Sequence, residues 1–172
     1  MRARPCRVKR VCYVGGKAGA AEHGEDALTE SAPQQWTATS LCEAIQNCDA
    51  RDEIAVSSPD GADGVIVATM RQHGDLTIYM SVSGEQIVVS TLLWPVDEQE
   101  NEAEFNRFIL KAQKVVPLSN FAITEADGRD YYELIGELSA DSNIATILLE
   151  LRVLAENAIS AASELREAFA SA

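Results

Sequence analysis

The chain has 172 residues, 47% of them hydrophobic, and a formal net charge of −13, which is enough apolar material for one compact core. Residues 31–172 hold 8 basic and 23 acidic side chains, a net of −15, whereas Arg2, Arg4, Arg7, Lys9, Arg10 and Lys17 make residues 1–17 purely basic. Such an acidic body repels phosphate backbones and excludes nucleic acid as its partner, and no run of 18 apolar residues is present to form an integral membrane segment.

Residues 1–33 are rich in Arg, Gly, Ala and Glu, show no periodicity and end at Ser31-Ala32-Pro33. They read as a disordered tail or a misassigned start, with a basic arm that folds on an anionic partner as the alternative. No apolar stretch precedes Gly15-Gly16, so the segment does not read as a secretory signal. A single domain is expected over residues 34–172. The four cysteines, Cys6, Cys12, Cys42 and Cys48, fall in two pairs, each separated by five residues. That spacing fits neither a zinc knuckle nor a redox C-x-x-C. It reads as free thiols, and a cytoplasmic location is expected.

Thr37 or Thr39 is placed to cap a first helix through about Cys48, with Leu41, Ala44, Ile45 and Cys48 on one face and Trp36 as a staple before it. Strands are expected at Ile54–Ser58, ended by Pro59-Asp60-Gly61, and at Val65–Arg71, ended by His73-Gly74-Asp75. In the next strand Leu76, Ile78, Met80 and Val82 alternate with Thr77, Tyr79, Ser81 and Ser83. Ser83-Gly84 turns the chain into Gln86–Trp94, where Ile87, Val89 and Leu93 continue the apolar face and Pro95 stops it. A second helix is expected from about Glu98 to Val115, with Asp97 and Glu100 as a capping box and Phe105, Phe108, Ile109 and Ala112 facing inward. Pro117 ends it. Phe121–Glu125 and Asp130–Leu138 flank Asp127-Gly128, a hairpin signal.

From Ile144 onward, Ile144, Leu148, Leu151, Ala155, Ala158, Ala162, Leu165 and Phe169 recur at spacings of four and three. With Asp141 or Ser142 as cap this predicts a helix of about 28 residues, roughly 42 Å at 1.5 Å per residue. The fold class that follows is α+β: an antiparallel sheet of about six strands with helices on one face, in the order α-β-β-β-β-α-β-β-α. So long a helix, small-sided in its middle, points to a dimer seam along Leu151, Ala155, Ala158, Ala162 and Leu165.

The chemistry-bearing residues form no recognisable set. His23 and His73 lack ligand spacing or a nucleophile partner, and a lone histidine at a turn is expected to be solvated. There is no G-x-S-x-G, phosphate-cradling glycine loop or H-E-x-x-H. Asp60-Gly61-Ala62-Asp63-Gly64 has the look of a cation loop but lacks the twelfth-position ligand. No metal, cofactor or catalytic residue is expected.

The stretches Trp94-Pro95, Phe105-Asn106-Arg107-Phe108-Ile109-Leu110, Val116-Pro117-Leu118-Ser119 and Phe121-Ala122-Ile123 resemble the YjfI family of uncharacterised bacterial proteins. So do Asp127-Gly128, Tyr131-Tyr132-Glu133-Leu134, Gly136, Leu138-Ser139-Ala140 and Leu154-Ala155-Glu156-Asn157-Ala158. The resemblance covers about residues 35–169. The element order is also similar to the type III secretion chaperone-like fold of YbjN-type proteins. That resemblance implies a small acidic protein that dimerises and presents apolar surface to a partner chain. Proteins of the first family are often encoded beside a phage-shock-protein-A-like membrane-remodelling protein, which implies a possible partner. The family brings no active-site residues to carry over.

The expected function is therefore a non-enzymatic, cytosolic protein-binding module, a homodimeric chaperone or adaptor. The alternatives are a regulatory partner of a phage-shock-protein-A-like membrane-stress protein, or an enzyme of unknown type. The strands over 75–94 carry only Asp75 and Glu85 as charges, both at turns. Tyr79, Leu92 and Trp94 are accordingly expected on the sheet face away from the helices, as an apolar partner surface. For Trp94, core or edge packing is the other placement open to it, and the patch as a whole is otherwise covered by the long helix or a dimer mate.

Overall fold

A reciprocal cap opens the first helix: the Thr37 hydroxyl accepts from the Ser40 N–H at 3.1 Å, and the Ser40 hydroxyl accepts from the Thr37 N–H at 3.0 Å. This helix, α1 (Ala38–Asn47), buries Leu41, Cys42 and Ile45. The structure is a computed structural model that describes residues 35–61 and 63–170. The expectations for residues 1–33, with Cys6, Cys12 and His23, lie outside the described residues.

Beyond α1 the chain forms β1 (Ile54–Ser57), β2 (Val65–Met70), β3 (Leu76–Ser83), β4 (Gln86–Pro95), α2 (Glu102–Ala112), β5 (Asn120–Ala126), β6 (Arg129–Ser139) and α3 (Ile144–Ser160). The strands make one antiparallel sheet in the order β1-β2-β3-β4-β6-β5. The fold is α+β, and the element order matches the pattern of apolar residues. Two-residue turns close the tight hairpins. At Asp127-Gly128 both residues have positive φ, 52° and 77°, which matches the strand twist and favours Gly at the second position.

Period-two alternation sends Ile66, Ala68, Met70, Ile78, Met80, Ile87, Val89 and Leu134 to one face, all at 2% exposure or less. That face packs against Leu41 and Ile45 of α1 and against Ile147, Leu151, Leu154, Ala155 and Ala158 of α3. A second cluster gathers Trp94, Phe105, Ile109, Tyr132 and Ala161 at the other end of the same face. Its rings meet edge-on or tilted, with centroids 4.9–5.8 Å apart, an arrangement worth about 0.5–1.5 kcal/mol per pair beyond area burial.

The two clusters account for the length of the last helix. After α3 the helical path continues through a π turn (Ala161–Leu165) and a final α turn (Arg166–Ala168). Leu151, Ala155 and Ala158 cover the larger cluster, and Ala161, Leu165 and Phe169 the smaller. The small side chains let the helix lie close on this chain's own sheet. The stripe Leu151, Ala155, Ala158 is thus intramolecular core, with exposures of 0%, 0% and 2%. This corrects the expectation of a dimer seam there. Ala162 is exposed and Leu165 half-buried.

The second helix begins later than expected. Val96–Glu98 forms a 3₁₀ turn, and α2 starts at Glu102 after Asn101, whose φ of 52° breaks the helical path. The acids expected at its N-terminus are held elsewhere. Arg129 pairs with Asp97 at 2.6 Å and Glu98 at 3.0 Å, and Arg166 reaches Glu98 at 3.2 Å. Phe108, expected inward, is 44% exposed and leans on the Phe169 ring.

Candidate functional site

Among the described residues, all helical packing falls on one side of the sheet. The residues of the other side are fixed by register: Ala55 and Ser57 on β1, Val65, Val67 and Thr69 on β2, Thr77, Tyr79 and Ser81 on β3. Val88, Ser90 and Leu92 on β4 and Tyr131, Glu133, Ile135 and Glu137 on β6 continue it. None of these residues belongs to either core cluster. Tyr79 is 47% exposed, and Val65, Val67, Val88, Leu92 and Ile135 are half-buried by their own sheet neighbours. Across β1–β4 and β6 the charges on this face are Glu133, Glu137 and, at the start of β6, Arg129, which pairs with Asp97 and Glu98. A merely solvated sheet face carries alternating charges; this one is made of aliphatic, aromatic and hydroxyl side chains.

Tyr79 and Leu92 lie where alternation places them. Trp94 does not. Between Leu92, opposite Glu133, and Pro95, opposite Tyr131, the register shifts by one, so Leu93 and Trp94 together face the single residue Tyr132. This β-bulge reverses the parity of the strand end and swings Trp94 to the helix side. There it is 3% exposed, donates from Nε1 to Gln99 Oε1 at 3.0 Å and lies under the Arg166 guanidinium. Trp94 is thereby removed from the candidate partner surface and assigned to core packing. Trp36 packs on the larger cluster and donates to the Ser142 carbonyl at 2.7 Å.

A cleft of about 390 Å³ opens on the helix side, between the 115–117 loop and the end of the last helix. Val115, Val116, Phe121, Leu134 and Leu165 make it apolar, with Asn157, Ser160 and Glu164 as its polar lining. Asn157 Nδ2 ties the loop to α3 by donating to the Pro117 carbonyl at 2.9 Å and the Ser119 hydroxyl at 3.0 Å. Leu118, at the tip, adopts φ 52° and is 51% exposed. The left-handed region is costly for a branched-chain residue. No local pattern marks this cleft, because its walls come from three segments distant along the chain.

Titratable groups do not gather in the cleft. Glu150, the one acid buried in the core among the described residues, is held above the ordinary carboxylate range by burial, and it does not line the cleft. Glu53 is held below it by the hydrogen bond and charge of Arg152, 2.6 Å away. His73, expected to be solvated, is half-buried and its Nδ1 is enclosed without a hydrogen-bond partner. Among the described residues no three His, Cys, Asp or Glu side chains converge as metal ligands, and no helix is long and apolar enough to cross a membrane.

Fold and site define the class: an α+β protein whose helices cover one side of an antiparallel sheet and leave an apolar second side. Residues 35–169 match the family described as "Uncharacterized protein conserved in bacteria (DUF2170)", and the chain belongs to that family. It is 33% identical over 132 residues to "Uncharacterized protein YjfI" of Escherichia coli strain K12, covering 77% of this chain and 96% of the relative. The same identity and coverage hold for the YjfI protein of Escherichia coli O157:H7. Among solved structures, a chain of the crystal structure of the ExsC-ExsE complex aligns with a TM-score of 0.44 at 14% identity, covering 74% of this chain and 92% of that one.

Proposed function

We infer that the protein is a non-enzymatic binding module for a polypeptide partner, of chaperone or adaptor type, acting in the cytosol. The observation that carries the reading is the second side of the sheet: Tyr79, Leu92, Val65, Val67, Val88 and Ile135 on one surface that no described helix covers. Aromatic and aliphatic side chains set among hydroxyls, with charge confined to β6, match the composition of interface centres.

The test uses the full chain and the double variant Tyr79→Ser/Leu92→Ser. Wild type and variant are compared for the proteins they retain from lysate of the native host, and for melting temperature and mass by light scattering. A protein retained by the wild type and released by an equally stable variant of unchanged mass is the expected result. Identical retention by both overturns the assignment of this face. A variant that unfolds or changes mass places Tyr79 and Leu92 in a core or homodimer seam instead.

A further inference from the structure

In an antiparallel pair, the N–H and C=O of alternate residues point toward the partner strand and those between point away. Asp127-Gly128 joins Ala126 directly to its opposite, Arg129, so Phe121, Ile123 and Glu125 turn their backbone groups away from β6. Because β5 ends the strand order, those groups form a sheet margin.

At Phe121 the margin is closed by one side chain. The Gln113 amide accepts from the Phe121 N–H at 2.7 Å and donates to the Phe121 C=O at 3.0 Å. A primary amide placed in this way makes the two bonds that a peptide unit of a seventh strand would make. The mimicry stops after one residue. Ile123 is 51% exposed, Glu125 is exposed, and among the described residues neither has a hydrogen bond to its outward N–H or C=O. The opposite margin is guarded differently: β1 has four residues, Pro59 follows it, and its Val56 C=O accepts from Gln46 Nε2 at 3.2 Å. β5 has seven residues, without Pro or Lys to deter pairing.

Phe121 also contributes to the apolar cleft, where Glu164 is one of the polar lining residues. A chain paired along β5 therefore has an apolar hollow beside it for a side chain, with Glu125 and Glu164 as acidic neighbours. Lys111 and Lys114 flank Gln113, at the end already closed. A second copy of this chain would bring a further net charge of −15 from residues 31–172, which disfavours pairing between copies.

We propose that the Ile123–Glu125 margin of β5 takes up an extended segment of a partner polypeptide as a seventh strand, the segment alternating apolar with basic residues, and that Gln113 holds the place of its next peptide unit. The site shares with the functional reading above only the class of partner, and it lies apart from the Tyr79–Leu92 surface.

The probe is a fluorescein-labelled heptapeptide, Lys-Val-Lys-Val-Lys-Val-Lys, read by anisotropy with the full chain. A copy N-methylated at alternate residues and an acidic copy with Glu for Lys are the controls. The expected result is saturable binding of the basic peptide, weaker by about tenfold or more when N-methylation removes its donors. Ile123→Pro removes one outward N–H without breaking a bond to β6, and should weaken binding to a similar extent. Gln113→Ala opens Phe121 to pairing and should tighten binding several-fold. In the unsubstituted chain, bound peptide should slow hydrogen exchange at the Ile123 and Glu125 amides, a readout that needs no variant to fold. Equal binding of the N-methylated peptide, or no binding of the basic one, overturns the proposal. Protection at Val88 and Leu92 instead overturns it while leaving the functional reading in place. A concentration-dependent dimer that protects Ile123 names a second copy as the occupant, and binding only after deletion of residues 1–33 names this chain's own N-terminal segment; either overturns it.

Discussion

The carboxyl of Glu150, on α3, lies directly over Gly136 in the middle of β6. A side-chain carbon at Gly136 would overlap Glu150 Oε1 and stand 3.0 Å from Val89 Cγ2. Glycine weakens a strand interior, and here its gain is the close approach of helix to sheet at a point where the helix carries an acid. Gly136→Ala should therefore destabilise the fold by about 1–3 kcal/mol through overpacking, measured by urea denaturation. Glu150→Ala in the same chain removes the obstructing atom, so the double variant should lose less than the sum of the single losses.

The same carboxyl makes stability depend on pH. Glu150 is 4% exposed and has no hydrogen-bond or ion-pair partner among the described residues, and burial raises its pKa. A raised acid binds its proton more tightly in the folded than in the unfolded chain. Stability contributed by this group is greatest below the ordinary carboxylate value and falls as pH rises through the folded pKa. Glu150→Gln, which carries no charge at any pH, should be more stable than wild type near neutrality. The difference should shrink as the medium is acidified toward about pH 4. Midpoints of thermal unfolding across that range, for both proteins in one buffer series, check the sign.

Tyr132 sets a limit at the alkaline end. Its ring is fully buried between Trp94 and Phe105, and its hydroxyl donates to Asn106 Oδ1 at 2.7 Å. Burial, together with the Glu102 carboxylate and against the Asn106 hydrogen bond, pushes its pKa up to about 12. For this acid too the folded pKa exceeds the unfolded one, near 10. Stability should thus fall as pH rises from about 10 toward about 12. Tyr132→Phe should lose about 1 kcal/mol at neutral pH for the missing hydrogen bond and show a smaller alkaline loss. Tyrosinate absorbance followed alongside circular dichroism separates ionisation from unfolding.

The strands were legible because their alternation is carried by Ile, Val, Leu and Met on one side and by Ser, Thr and Tyr on the other, and because turn residues stand between them. Three features were not. The bulge after Leu92 leaves no mark in composition, since Leu92, Leu93 and Trp94 are all apolar and only pairing with β6 reveals which way each points. The start of α2 misleads because Asp97 and Glu100 satisfy a local capping pattern, while Asp97 and Glu98 are engaged by Arg129 and Arg166 from remote segments. The Gln113–Phe121 pairing is likewise invisible along the chain, because it depends on where α2 ends relative to the free margin of β5. In each case a long-range contact overrides or adds to a local signal. Of the residues expected at the partner surface, Tyr79 and Leu92 keep the predicted side and Trp94 loses it for the same reason.

The alanine stripe of the last helix permits a paired test of where the core ends. Ala158 is 2% exposed and packs with the larger cluster, whereas Ala162, one turn on in the π segment, is exposed. Both look alike as small residues at helical spacing, and both fit a seam between two subunits equally well. The packing separates them. Ala158→Glu places a carboxylate between helix and sheet with no partner, which should cost about 3–5 kcal/mol as an uncompensated buried charge. Ala162→Glu meets solvent and should change stability by no more than about 0.5 kcal/mol. Denaturation midpoints and light scattering on both variants decide between the readings. Unfolding of the first with an unchanged second is the outcome expected for intramolecular core. A folded Ala158→Glu variant of halved mass would instead restore the stripe as a subunit seam.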